Sequence, residues 1–387
     1  MTIRETDNLY VANTYKRFPL EIVSGHGSVV LDGAGKEYID MGSGIAVTSF
    51  GIGDEAWKDA VMAQISKVQH TSNLYYTEPC ARLAEMLCRR TGMKKVFFSN
   101  SGAESNECAI KAARKYASDA YGPERYTIIT LENSFHGRTL TTLAATGQEH
   151  YHELFQPLTP GFVHAPANDC PALQALTEQY PTAGILLECV QGEGGVLPLD
   201  PGFVAETAKL CREKDILLMI DEVQTGNGRT GELYAYMHYG VQPDIVSTAK
   251  GLAGGLPLGA TLLGEKVQHV LGYGDHGSTF GGNPVSCAGA ISILERIDES
   301  LLKAVREKSA YLFEAFQGAK GVEAVTGLGL MIGIKTEKPA GEVVARCMEK
   351  GVLCLTAKEK VRLLPALNIP METLQKAAEI IRAVCAE

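Results

Sequence analysis

Short apolar runs alternate with longer amphipathic ones through the middle of this chain, and that alternation limits the folds open to it. Runs at 96–99, 127–131, 185–190, 216–220, 245–248 and 260–263 have the length and content of strands. Several are apolar on both faces, as strands are when helices cover each side of a sheet. Helical periodicity fills the intervals, over 104–121 and 202–214 for example. In the first of these, Ile110, Ala113 and Ala117 share one face, and Glu107 and Lys111 are spaced as an i,i+4 ion pair. The pattern predicts an α/β fold with a doubly wound, mostly parallel sheet flanked by helices.

The two ends read differently. Near 20–50, VVLD and EYIDM flank the turn-forming Gly33-Ala34-Gly35, a hairpin signature. From about 280 a long helix is expected, then strands around 324–325 and 330–334. A closing helix over 371–386 places Leu374, Ala377, Ile381 and Val384 on one face. With 387 residues there is chain enough for two or three domains. We expect a large domain over 56–275 and a smaller α+β domain built from both ends, 1–55 and 276–387.

Charge narrows the partners. The formal net charge is −9, with 36 Lys and Arg against 45 Asp and Glu, so the cation excess that drives binding to a phosphate backbone is missing. Nucleic acid is not an expected partner. None of the ten cysteines forms a C-x-x-C pair, which removes the usual zinc and redox spacings. Most sit in apolar stretches, as Cys189 does in ILLECV, and free buried thiols suit a reducing compartment. The acidic, polar start MTIRETDNLY has no apolar core of a signal peptide. No run approaches the 18 apolar residues of a membrane helix. The expected location is the cytoplasm, with no membrane partner.

Glycine fingerprints for dinucleotides and P-loops are absent, as are H-E-x-x-H and G-x-S-x-G. The chemistry must come from elsewhere. ILLMIDEVQTGNGRTG is a buried strand that ends in Asp221-Glu222, and ligands of open α/β sheets bind beyond such strand ends. A carboxylate there needs a cation or good donors, and the plainer reading is a turn or helix cap. Lys250 lies 29 residues further on, after another strand and among small apolar residues. A cramped, dry setting frees a lysine amine for nucleophilic work, against the alternative of a surface lysine in a glycine loop.

Ser101-Gly102-Ala103-Glu104 opens a helix with the pattern of a capping box, and the same free N–H groups can hold a phosphate. Phe135 precedes Arg138, offering a stacking ring and a guanidinium able to clamp a carboxylate, although a core ring beside a solvated arginine fits equally well. Glu193 on a glycine-rich loop and Arg362 between apolar residues suit a breakable ion pair, and each is equally readable as an unrelated exposed charge.

Taken together, the motifs resemble the class III (ω-amino) aminotransferases, pyridoxal-phosphate enzymes of fold type I. The resemblance runs from Tyr15-Lys16-Arg17-Phe18-Pro19 to Arg362-Leu363-Leu364-Pro365. Between them NSGAESNE (100–107), SFHGRT (134–139), QGEGG (191–195), DEVQTGNGRTG (221–231), AKGLAGG (249–255) and HGSTFGGNP (276–284) follow in family order. Within the class, the pattern is most similar to the acetylornithine aminotransferases. The resemblance implies transamination of N2-acetyl-L-ornithine with 2-oxoglutarate, in arginine biosynthesis.

It also implies a role for each residue. Lys250 would bond the cofactor and then move a proton as base and acid. Asp221 would keep the pyridine nitrogen protonated. Gln224 would contact the phenolic oxygen, Phe135 would stack on the ring, and Ser101, Gly102 and Ala103 would hold the phosphate. Thr279 would reach that phosphate from a second subunit, which makes a homodimer the expected assembly. Tyr15, Arg138 and Ser278 would bind substrate, Arg138 at the distal carboxylate and Ser278 from the neighbouring chain. The Glu193–Arg362 pair would open so that Arg362 can hold the α-carboxylate of glutamate.

Two stretches depart from the family pattern. Gly51-Ile52-Gly53-Asp54-Glu55 replaces Gly-His-x-His-Pro, and Thr356-Ala357 replaces the Ala-Gly before the C-terminal arginine. Ile45 stands where ornithine enzymes tend to carry a tyrosine for the free α-amino group, which favours an N-acylated substrate. Ornithine, 4-aminobutyrate and succinylornithine aminotransferases are the nearest alternatives. A non-catalytic ligand-binding protein of the same fold is a distant one, and a NAD-dependent dehydrogenase lacks its fingerprint.

Overall fold

The computed structural model describes residues 1–387. Its main sheet has seven strands in the order Lys95–Ser99, Gly259–Leu263, Ile245–Thr248, Leu217–Asp221, Thr182–Leu187, Thr127–Leu131 and Phe162–Ala165. Only Gly259–Leu263 runs against the others. The five inner strands are buried along their whole length. Successive residues feed cores on opposite faces, as the pleat requires: Leu218 and Ile220 point into one, Leu217 and Met219 into the other. Runs without polar alternation are thus explained by two covered faces.

Helix Gly102–Tyr121 lies over the second face with Ile110, Ala113 and Ala117 almost fully buried. The expected Glu107–Lys111 pair does not form. Lys111 Nζ instead donates to Asp275 O at 2.7 Å, and Glu107 accepts from the Thr139 hydroxyl. A fixed carbonyl and a loop hydroxyl win over an i,i+4 contact that is weak at a solvated surface.

The run at 185–190 is shifted. The strand is Thr182–Leu187, and the chain leaves the sheet at Glu188, whose carboxylate accepts the Phe135 N–H at 2.9 Å. Phe162–Ala165, a short half-buried edge strand, has no strong pattern of its own and was not expected. The long helix beyond 280 is two helices, Pro284–Arg296 and Glu299–Phe316. Asp298 breaks them by capping the second through the Leu301 N–H at 2.9 Å. The first packs Cys287, Ala290 and Leu294 into the larger core, while Leu312 and Phe316 of the second join a separate core.

That separate core brings the two ends of the chain together. Ile22–His26, Val29–Asp32 and Glu37–Asp40 form a sheet with Val352–Leu353, which pairs in parallel with Ile39-Asp40. Val322–Leu328, Met331–Thr336, Lys360–Leu363 and Leu355–Ala357 form the other sheet. Helix Met371–Ala386 closes over them with Leu374, Ala377, Ile381 and Val384 buried. Both departures from the family pattern have local partners. Ile52 exchanges backbone hydrogen bonds with Gly27, and Asp54 caps helix Glu55–Ile65 while pairing with Arg296. Thr356-Ala357 lies in a strand that pairs with Lys360-Val361.

Candidate active site

The carboxyl ends of Lys95–Ser99, Thr182–Leu187, Leu217–Asp221 and Ile245–Thr248 surround a cleft of about 420 Å³. Ser101, Gly102, Ala103, Phe135, Arg138, Asp221, Gln224 and Lys250 all line it. Residues far apart in sequence therefore meet where an open sheet offers its strand ends.

Asp221 is 4% exposed and has no lysine or arginine partner. It is held by donors instead: Asn106 Nδ2 at 2.7 Å, His136 Nδ1 at 2.8 Å and the Val223 N–H at 3.0 Å. Facing a carboxylate, Nδ1 carries the proton. Such a carboxylate is fixed in direction and keeps room for one further donor in the cleft. Neighbouring Glu222 turns inward, accepting from Thr225 Oγ1 and the Tyr236 N–H, and burial pushes its carboxyl up to about 7.

Lys250 follows the strand Ile245–Thr248 with a left-handed φ of 47°. Its amine makes no hydrogen bond to any protein group, and burial pushes it below the ordinary lysine range despite Glu193 and Asp221 nearby. The packing around its backbone is close. A Cβ on Gly251 would stand 2.6 Å from Ser49 Oγ. This is the cramped setting expected from the sequence, and it leaves a free amine aimed at the cleft.

Helix Gly102–Tyr121 points its N-terminus into the same space. Ser101 Oγ accepts the Glu104 N–H at 3.2 Å, as a cap should. The reciprocal half of the expected box is displaced by one residue: Glu104 Oε2 accepts from Asn100 N and Nδ2, at 2.6 and 2.8 Å. The N–H groups of Gly102 and Ala103 have no protein acceptor. Gly102 must lack a side chain, because a Cβ would meet Val223 Cγ1 at 2.5 Å.

At the edge of the cleft, Arg362 Nη1 donates to Glu193 Oε1 at 2.6 Å and to Gln224 Oε1 at 3.2 Å. Burial raises the Glu193 carboxyl, but Arg362 more than offsets this and holds it below its ordinary range. Arg138 is exposed and lies over the Phe135 ring, 5.7 Å from its centroid.

Three of the expected residues are elsewhere in this chain. Tyr15 borders, with Ile45, a second and more apolar cavity of about 460 Å³. Ser278 Oγ accepts from Asn100 Nδ2 and the Gly281 N–H, and Thr279 is exposed nearby without lining the cleft. Conversely, Asn106, His136 and Glu188 are cleft residues to which the sequence reading gave no role. Two carried a visible signal: Glu188 interrupts an apolar run, and Asn106 is a poor helix former inside a helix. His136 stood beside Phe135, with nothing to mark its partner.

Comparison with known proteins fits this geometry. The family model for class-III aminotransferases matches residues 10–385. This chain is a class-III aminotransferase. It is 51% identical over 387 residues to the acetylornithine aminotransferase of Haemophilus ducreyi, covering 100% of this chain and 98% of that one. The acetylornithine aminotransferase of Aquifex aeolicus is 44% identical, with 97% and 99% covered. Among solved structures, the ornithine aminotransferase of Toxoplasma gondii superposes with a TM-score of 0.95 at 31% identity, covering 99% of this chain and 94% of that one. N-acetylornithine aminotransferase from Stenotrophomonas maltophilia gives 0.86 at 34% identity, with 99% and 98% covered.

Enzymes of this class use pyridoxal 5′-phosphate, and the aminotransferase cleft has the donors that group needs. Unpaired N–H groups at a long helix's N-terminus suit a phosphate, and a buried carboxylate held by three donors suits a protonated ring nitrogen. The unpartnered Lys250 amine suits an aldehyde.

Proposed function

We propose that this aminotransferase transfers the δ-amino group of N2-acetyl-L-ornithine to 2-oxoglutarate, giving N-acetyl-L-glutamate 5-semialdehyde and L-glutamate, a step of arginine biosynthesis. The observation that carries the proposal is the free Lys250 amine facing a cleft that also holds Asp221 and Arg138, with the Arg362–Glu193 pair joined to its edge through Gln224. Identity of 51% to an acetylornithine enzyme supports the choice of substrate.

Pyridoxal phosphate, when bound, supplies an aldehyde that condenses with amines and a ring that accepts an electron pair. The chain does the rest. Gly102 and Ala103 would hold the phosphate with Ser101 fixing the helix end, Phe135 would cover the ring, and Gln224 would face its phenolic oxygen. Asp221 would accept the hydrogen bond of the ring nitrogen and so keep it protonated. Lys250 Nζ would take the proton from the amine-bearing substrate carbon as base and, once protonated, give it as acid to the carbon that takes up the amino group.

Two arginines would divide the recognition. Arg138 would hold the carboxylate remote from the reacting amine, with Ser278 reaching it from a neighbouring chain. Glu193 masks Arg362 while acetylornithine is bound and releases it to the α-carboxylate of glutamate.

A homodimer completes this reading, with Thr279 and Ser278 serving the neighbouring cleft. The surface beside Thr279 supports it: Phe280 is exposed, and Asn73, which donates to Ser278 O and Gly281 O, leads into exposed Leu74, Tyr75 and Tyr76. We place the enzyme in the cytoplasm on its ten free cysteines. No helix is long and apolar enough to cross a membrane. The substrate test is competition: unlabelled acetylornithine should suppress turnover of ornithine, 4-aminobutyrate and succinylornithine. A preference for one of those three would reassign the substrate.

A further inference from the structure

Arg229 is among the largest fully buried side chains in the protein, yet no carboxylate accompanies it. An unpaired buried guanidinium is costly, and a methionine would fill the same space without that cost. What the charge does here is hold two carbonyls: Nη1 donates to Leu330 O at 3.2 Å and to Pro365 O. Leu330 returns its own N–H to Arg229 O at 2.9 Å. The contact is tight enough that a Cβ on Gly329, at φ 59°, would stand 2.4 Å from Thr230 backbone atoms.

Both carbonyls flank the strand pair that carries Arg362. Leu330 immediately precedes Met331–Thr336, and Pro365 follows Lys360–Leu363. Arg362 sits opposite Gly333 in that pair. One guanidinium therefore ties the entry of one strand to the exit of its neighbour. It belongs to the loop that starts at Asp221, supplies Gln224 to Arg362, and through Asn227 Nδ2 holds Ala249 O beside Lys250.

We propose that Arg229 is a positioning residue for recognition of the amino acceptor: it fixes the Arg362 strand against the Asp221–Gly231 loop, and so sets where Arg362 meets the α-carboxylate. This rests on the reading that Arg362 serves glutamate and 2-oxoglutarate rather than acetylornithine.

The test uses holoenzyme carrying R229K or R229M, with R362A as a reference, and measures each half-reaction separately by single turnover. R229M should raise the half-saturating concentration of 2-oxoglutarate and glutamate about ten-fold, with acetylornithine changed less than about two-fold. R229K, which keeps one donor, should recover part of the loss and remains the test if R229M does not fold. Equal loss in both halves, or no change in either, would overturn the proposal while a selective R362A left the Arg362 reading intact. An unselective R362A would remove that reading and the proposal with it.

Discussion

Glu193 Oε1 and Arg362 Nη1 lie 2.6 Å apart, with the arginine buried and the glutamate half-buried on a glycine-flanked turn. The two ends of this bond differ in freedom. Arg362 is fixed by strand pairing on both sides, opposite Gly333 and Leu355, whereas Glu193 sits on a turn outside any strand, with one further long contact from Gln224 Nε2 at 3.4 Å. A pair that must open for one substrate and close for another needs this asymmetry.

Arg362→Ala should therefore lower kcat/KM for glutamate and 2-oxoglutarate by about a hundred-fold, the size of one lost charge-assisted contact, and spare acetylornithine. Separate half-reaction rates check this. Equal loss in both would refute the switch.

Glu193→Ala should do the reverse. With Arg362 left unmasked and unpaired, the acetylornithine half-reaction should slow by about ten-fold while the glutamate half persists. Steady-state competition between the two amino donors reads the change in preference directly.

Gly102→Ala should weaken cofactor retention. The added methyl meets Val223 Cγ1 and moves the helix end, a strain of about 1–3 kcal/mol. Combining it with Val223→Ala should restore binding, as measured by cofactor titration of the apoenzyme. If the double variant binds no better than Gly102→Ala alone, the helix end is not what holds the phosphate.

Acid titration has a defined sign. Burial first, partly opposed by hydrogen bonds, puts the Glu222 carboxyl at about 7, above its unfolded value. The native state then binds more protons, so this group's stabilising contribution is full below the unfolded value and is lost as pH rises to about 7. Glu222→Gln should flatten that part of the curve by up to about 1.4 kcal/mol per pH unit, seen in urea midpoints between pH 5 and 7. An unchanged slope would place the titration elsewhere.

Much of this was legible in the sequence because the signals were local. The strand 127–131 and the helix 371–386 match the structure to the residue, and Asp221, Lys250 and Gly102 meet in one cleft as their motifs suggested. What was not legible depended on long-range competition. Glu107 and Lys111 were correctly spaced, but Thr139 and the Asp275 carbonyl took them. Glu104 bonded Asn100 rather than closing the box, because two donors on one residue outcompete one. The contact of His136 with Asp221 joins positions 85 residues apart, and no local pattern announces it.

The most direct test is the visible spectrum of the purified protein as N-acetylornithine is added without any keto acid. A yellow cofactor band should bleach with acetylornithine and return when 2-oxoglutarate follows. A band that bleaches with glutamate but not with acetylornithine would contradict the substrate. No band after incubation with pyridoxal phosphate would contradict the active site itself.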